Sequence, residues 1–288
     1  MLEIKKYEFQ KPIEENGWIK DWHGNHRLME CLNQDFNNML SKRESEIESH
    51  WHIPERIFER YVMASIIESF TQPRVNFVEI GAGYGEWCMA FDGLINHTSL
   101  KGLFIDCNCI GIEPDLIHFG WLQKHLEVNG IKGKAYQAVV SDKIGSVCIT
   151  KSTNPDYDYG QRIVSSGFDL KTIYGLFKWI KGDIERVESY TMDSMFLKFP
   201  NPHVNLVHID VQGAEDKVLQ GAQGMIKNGL IDYFMIGTHS DSKHDKVKSM
   251  LDGRYVFVAD IRPNSVGETV IGDVEVQDGI LVCERIGI

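Results

Sequence analysis

Apolar residues recur at two different spacings along this chain, and the change between them divides it. Residues 1–72 are polar, rich in Glu, Asn and aromatic side chains, and hold one amphipathic stretch. There Ile57–Phe58, Tyr61–Val62 and Ile66–Ile67 follow one another at helical spacing, which predicts a helical appendage. Thr71-Gln72-Pro73 breaks that pattern, and the apolar run Val75 to Ile80 reads as a short strand ending in glycines. Strands and helices then alternate. Cys109 to Glu113 is a strand, Asp115 to Asn129 a helix, Ala135 to Val140 a strand, Asn205 to Asp210 a strand, Ala214 to Lys227 a helix and Ile231 to Ile236 a strand. Tyr255 to Ala259 and Ile280 to Cys283 suit a closing antiparallel pair. Such alternation specifies an α/β core, residues 73–288, with a mostly parallel sheet covered by helices on both faces.

Between about residues 150 and 190 the periodicity fails, and Asn154-Pro155, Tyr157, Tyr159-Gly160 and Ser166-Gly167 accumulate. A long irregular insertion in a compact domain is more often functional than accidental, so this segment is the candidate substrate lid. Tyr157, Tyr159, Phe168 and Trp179 within it can wall a ring-shaped acceptor or pack the segment onto the core.

Composition narrows the functional classes. The 288 residues are 43% hydrophobic and 25% charged, as in an ordinary globular protein, and carry a formal charge of −11. That charge opposes nucleic-acid phosphates and anionic membranes, so neither is an expected partner. The six cysteines are scattered, and Cys107-Asn108-Cys109 lacks zinc or redox spacing, so free thiols in the cytoplasm are expected. No apolar leader opens the chain and no membrane-length apolar run occurs. A homo-oligomer is left open.

The chemistry begins at Glu79-Ile80-Gly81-Ala82-Gly83-Tyr84-Gly85, directly after a strand and before an apolar helix. A glycine turn in that place lets the backbone approach a nucleotide closely. The dinucleotide fingerprint needs its third glycine one position later, where Glu86 stands, so pyrophosphate binding is disfavoured. A carboxylate at Glu79 would repel a pyrophosphate but can hold the cationic amino-acid end of S-adenosylmethionine. Glu113, followed by Pro114-Asp115, ends the next strand, where a carboxylate accepts ribose hydroxyls or simply marks a helix start. The long stretch between the turn and Glu113 implies a local insertion near His97 to Cys107.

Glu113-Pro114-Asp115, Leu122, Asn129-Gly130-Ile131, Ala138 to Ser141-Asp142, Thr191-Met192-Asp193 and His208-Ile209-Asp210-Val211-Gln212-Gly213-Ala214-Glu215 stand in an order that resembles the FkbM-type methyltransferases. The resemblance implies a class I methyltransferase fold, Rossmann-like, with a seven-stranded sheet and a reversed last hairpin. It also implies methyl transfer from S-adenosylmethionine, usually to a hydroxyl oxygen, with Ser141 and Asp142 near the adenine. Two positions depart from it. Gln212 stands where the family usually has Glu, and Gly237-Thr238-His239 lacks the acidic residue that usually precedes the His.

Methyl transfer needs in-line approach, exclusion of water and a group to take the hydroxyl proton. His239, Asp210 and His208 end adjacent central strands, where open α/β sheets place their ligands. His239 is the first choice of base, because an unperturbed imidazole titrates at about 6.5. Asp210 is its rival and can instead touch the methionine end of the cofactor, while His208 reads as a core or supporting group. A divalent cation such as Mg²⁺ on Asp210, Glu215 and His239 is conceivable but not favoured, since no compact ligand motif is present. Glu215 also suits a helix start, and Asp193 likewise. The reading is thus an O-methyltransferase for a saccharide or secondary-metabolite hydroxyl. Cofactor contacts are expected from Glu79, Gly81, Gly83, Gly85, Glu113, Ser141, Asp142 and Asp210. The alternatives are a nicotinamide-dependent oxidoreductase and a non-catalytic binding module on the same sheet.

Overall fold

In the computed structural model the described residues are 13–15, 18–20, 25–28, 54–96, 100, 102–151, 163–165, 184–269 and 272–288. The chain opens with three short strands, β1 (Ile13–Glu15), β2 (Trp18–Lys20) and β3 (His26–Leu28), in an antiparallel sheet. Helix α1 (Pro54–Ser69) follows, carrying the amphipathic stretch. The appendage is therefore not wholly helical. Three-residue strands are too short to display a period of two, so the polar and aromatic run at 13–28 gave no strand signal.

Strand β4 (Arg74–Ile80) leads through the glycine turn into α2 (Glu86–Asn96), then β5 (Asp106–Glu113), α3 (Leu116–Val128) and β6 (Gly133–Gln137). Asp115 caps α3, its carboxylate accepting from the Ile117 and His118 amides. After β6 the sheet is interrupted by β7 (Val139–Val140), β8 (Gly145–Thr150), β9 (Ile163–Ser165) and β10 (Ile184–Tyr190), which form a second sheet in the order β7-β10-β8-β9. The run expected as one strand, 135–140, thus changes sheet at Ala138. Most of the expected lid, with Tyr157, Tyr159, Phe168 and Trp179, lies outside the described residues. So does His97, at the start of the insertion expected before β5.

The central sheet resumes after α4 (Met192–Phe196) with β11 (Val204–Ile209), α5 (Glu215–Gln220), α6 (Gln223–Lys227), β12 (Ile231–Thr238) and α7 (Asp241–Leu251). It closes with β13 (Tyr255–Ile261), the hairpin β14 (Ser265–Thr269) and β15 (Gly272–Val276), and β16 (Gly279–Arg285). Its order is β13-β16-β12-β11-β4-β5-β6. All neighbours are parallel except β16, which is antiparallel to both β12 and β13. This is the seven-stranded, mostly parallel sheet with a reversed last hairpin. The single helix expected over 214–227 is broken at Gly221-Ala222. A Cβ at Gly221 would overlap the Ser141 carbonyl, so glycine admits that close approach and the helix restarts as α6. Asp193 caps α6 rather than α4, accepting from the amides of Gly224 at 2.7 Å and Met225 at 2.9 Å. Thr191 caps α4.

Alternate strand residues enter two apolar clusters, as a period of two requires. Phe77, Leu206, Met235 and Val282 join side chains of α1, α2 and α3, while Val78, Val207, Phe234 and Ile236 join those of α4 to α7. β15 reaches the first cluster through Val274 and Val276. No described helix is long and apolar enough to cross a membrane.

Candidate active site

A cavity of about 340 Å³ opens at the carboxyl ends of β4, β5 and β11, within the size range of small-ligand sites. The glycine turn forms its floor. Gly81, at φ +77°, passes so close to the Asp210 carbonyl that a Cβ would overlap it. Gly83, at φ +52°, donates its amide to Glu113 Oε2 at 2.8 Å. Gly85, at φ +87°, does not line the cavity; it lets α3 approach, since a Cβ there would lie 2.6 Å from Leu122 Cδ1.

Of the carboxylates expected to contact the cofactor, Glu79, Glu113 and Asp210 line this cavity, and Glu79 and Glu113 are almost wholly buried. Glu79 accepts from the amides of Trp87 at 3.1 Å and Cys88 at 2.8 Å, at the start of α2. Burial pushes its carboxyl up to about 8, against the pull of those two amides. Glu113 spans the turn and the next helix, accepting from Gly83 and, through Oε1, from the Asp115 amide at 2.8 Å. Burial raises it to about 7, with the same two amides opposing. Ser141 and Asp142, in contrast, lie off the cavity, whose wall there is Ala138, Val139 and Val140. Because the chain leaves the central sheet after β6, the Ser141 amide bonds the Tyr190 carbonyl at 2.9 Å and its hydroxyl donates to Asp142 at 3.0 Å.

His239 follows β12; it does not itself line the cavity but stands among carboxylates, two of which, Asp210 and Asp278, do. Its Nδ1 lies 2.6 Å from Glu215 Oε1, and its Nε2 lies 3.3 Å from Asp210 Oδ1 and 3.7 Å from Asp278 Oδ2. Glu215 is itself fully buried and also accepts from the Gly213 amide at 2.8 Å. Burial works against a charged imidazole here, but Asp210 and Glu215 outweigh it and lift His239 to about 10. An imidazole protonated at neutral pH has no lone pair for a substrate proton, so the expectation of His239 as a free base gives way to His239 as a cationic bridge. The same geometry bears on the metal set, which the sequence leaves conceivable but not favoured. Asp210, Glu215 and His239 do meet, but both ring nitrogens face carboxylate oxygens, and among the described residues no group of three or more His, Cys, Asp or Glu is arranged to hold a metal ion. His208 is not at the reacting end either. It is buried one layer back, its ring 5.0 Å from that of Trp87, which does line the cavity.

Asp278 is the group that pattern reading missed. β16 pairs antiparallel with β12 so that Thr238 faces Gly279, which sets Asp278 beside His239. Gly279 is required there, since a Cβ would overlap the Thr238 hydroxyl. Tyr84, Glu86 and Gln212 also line the cavity, and Gln212 sits in the left-handed region at φ +51°. The opposite wall is apolar, from Val139, Ile149 and Ile163 of the second sheet.

The family model described as "Methyltransferase FkbM domain" matches residues 79–257. A search of curated proteins returns no match. Among solved structures, the METTL16 methyltransferase domain is 10% identical, with 81% of this chain and 68% of that one covered at a TM-score of 0.44. Precorrin-6y C5,15-methyltransferase from Geobacter metallireducens is 10% identical over 81% of this chain and 90% of that one, with a TM-score of 0.40. TrmK from M. capricolum, bound to S-adenosylhomocysteine, is 7% identical over 78% and 68%, with a TM-score of 0.35.

Proposed function

Since the chain belongs to the FkbM methyltransferase domain family, we propose that its cavity seats S-adenosylmethionine on the glycine turn and a hydroxyl-bearing small molecule or carbohydrate beside His239, where oxygen is methylated. The residues present suit the cofactor. Gly81 lets the turn pass close to the Asp210 carbonyl at the floor of the cavity, and Glu79 and Glu113 are buried acidic side chains on a cavity whose described lining holds no Lys or Arg. When bound, S-adenosylmethionine supplies a methyl group on a cationic sulfonium.

The observation that carries the acceptor assignment is the placement of Asp210 and Asp278 together at the Nε2 edge of His239, both lining the same cavity as the turn. Glu215 fixes the imidazolium, and the imidazolium fixes Asp210. A carboxylate held this way orients the acceptor hydroxyl and takes its proton, while orientation supplies the larger share of the rate. Asp278 replaces, from the neighbouring strand, the carboxylate that the family resemblance leads one to expect just before His239. An acidic lining with an apolar far wall favours an uncharged, hydroxylated acceptor over a phosphate-bearing one.

The test is a panel of neutral hydroxylated acceptors with methyl-labelled cofactor. Asp210→Asn is expected to lower turnover about 10²-fold or more, the range of general-base contributions. Wild-type turnover in that variant would remove Asp210 from the acceptor end.

A further inference from the structure

The glycine turn is held at its first half by Glu113, which binds the Gly83 amide. Its second half is held from outside the family-matched region. Leu28 of β3 donates its amide to His125 Nε2 at 2.8 Å. A ring nitrogen that accepts cannot carry a proton, so the proton is on Nδ1, which donates to the Tyr84 carbonyl at 2.6 Å. His125 is fully buried, so this bridge runs from β3 through α3 to the turn without solvent.

A second link runs alongside. Arg27, also buried, reaches the Tyr84 hydroxyl with Nη1 at 3.4 Å, and that hydroxyl donates to Glu86 Oε2 at 3.1 Å. Arg60 of α1 meets the other Glu86 oxygen at 3.4 Å. Tyr84 and Glu86 both line the cavity. The strand itself is docked by the Asn25 amide on the Met89 carbonyl at 2.8 Å and by Asn129, which bonds both the His26 amide and its carbonyl.

We propose that residues Asn25 to Leu28 are a positioning element for the cofactor, fixing the Tyr84–Glu86 half of the glycine turn through His125 and Arg27. A turn with three positive-φ glycines is costly to order, and a clamp that orders it before binding removes that cost from the affinity. This inference rests on the turn being the S-adenosylmethionine site.

Linkage makes the clamp testable without an acceptor: if β3 favours cofactor binding, binding must stabilise β3 equally. Hydrogen exchange on the full chain is followed at the Leu28 amide, which lies off the cavity lining, with and without S-adenosylhomocysteine. Protection there is expected to rise several-fold on binding, and Arg27→Met is expected to weaken S-adenosylhomocysteine roughly three- to ten-fold, with Arg27→Lys intermediate. Unchanged exchange at Leu28, or wild-type affinity in a folded Arg27→Met, overturns the clamp; should that variant not fold, the exchange result alone decides. Failure of the wild-type chain to bind S-adenosylhomocysteine overturns the cofactor assignment as well, and so is distinguishable.

Discussion

At the glycine-turn end of the cavity, backbone amides hold the carboxylates: Trp87 and Cys88 hold Glu79, and Gly83 and Asp115 hold Glu113. At the opposite end side chains hold one another, with His239 standing between Glu215, Asp210 and Asp278. The first arrangement is written into one strand-turn-helix unit and its neighbour, and cannot change without changing the backbone. The second is assembled from three separated loops and can be retuned by single substitutions that leave the turn intact. A family that keeps its methyl donor while varying its acceptor would divide its site in this way.

The sharpest way to break the contrast is to strike the backbone-held end. Gly81→Val places a branched side chain at positive φ and into the Asp210 carbonyl, and is expected to cost about 3 kcal/mol or more of stability. Urea denaturation measures the loss, and S-adenosylhomocysteine binding should vanish with it. Binding at wild-type strength would mean that the turn does not form the floor of the cofactor site.

A smaller effect separates the ends by pH. Glu79 and Glu113 are raised to about 8 and 7, and His239 to about 10. A group with a raised pKa adds stability that is complete below its unfolded value and is lost as pH climbs through its folded value. For Glu79 that loss runs from about 4.5 to about 8, and for His239 from about 6.5 to about 10. The melting temperature is therefore expected to fall between pH 7 and 10, by roughly 2–4 kcal/mol in equivalent stability. Between about pH 8 and 9, below the range in which the thiols of Cys88, Cys107 and Cys283 join, the fall belongs to His239, so His239→Asn should flatten that limb while Glu79→Gln flattens only the part below it.

What could be read from the residues follows the same division. The β4 strand, the glycine turn, Glu113 and the Asp115 cap are local in sequence, and each was found where expected. The strands that build the second sheet were not, because β7 and β8 look like the end of one strand and the start of a loop until β10 pairs with both. The alternation over Val187 to Tyr190 in β10, with Val187 and Ser189 buried and Glu188 and Tyr190 exposed, was the available signal. Asp278 could not be found by pattern at all. Its place depends on the β12–β16 register, and nothing near it in sequence states which residue will face Thr238. His239 lies at the strand end where expected, but its protonation could not be read locally, since Asp210 and Glu215 of the neighbouring β11–α5 connection raise it.

The contrast between the two ends is tested most directly by titrating S-adenosylhomocysteine, in one calorimetric series, into the wild-type chain, Glu113→Ala and Asp210→Asn. Glu113→Ala is expected to weaken binding about tenfold or more, while Asp210→Asn stays within about threefold of wild type. Equal losses in both variants, or a larger loss in Asp210→Asn, would contradict a cofactor end held by the backbone and an acceptor end built around His239.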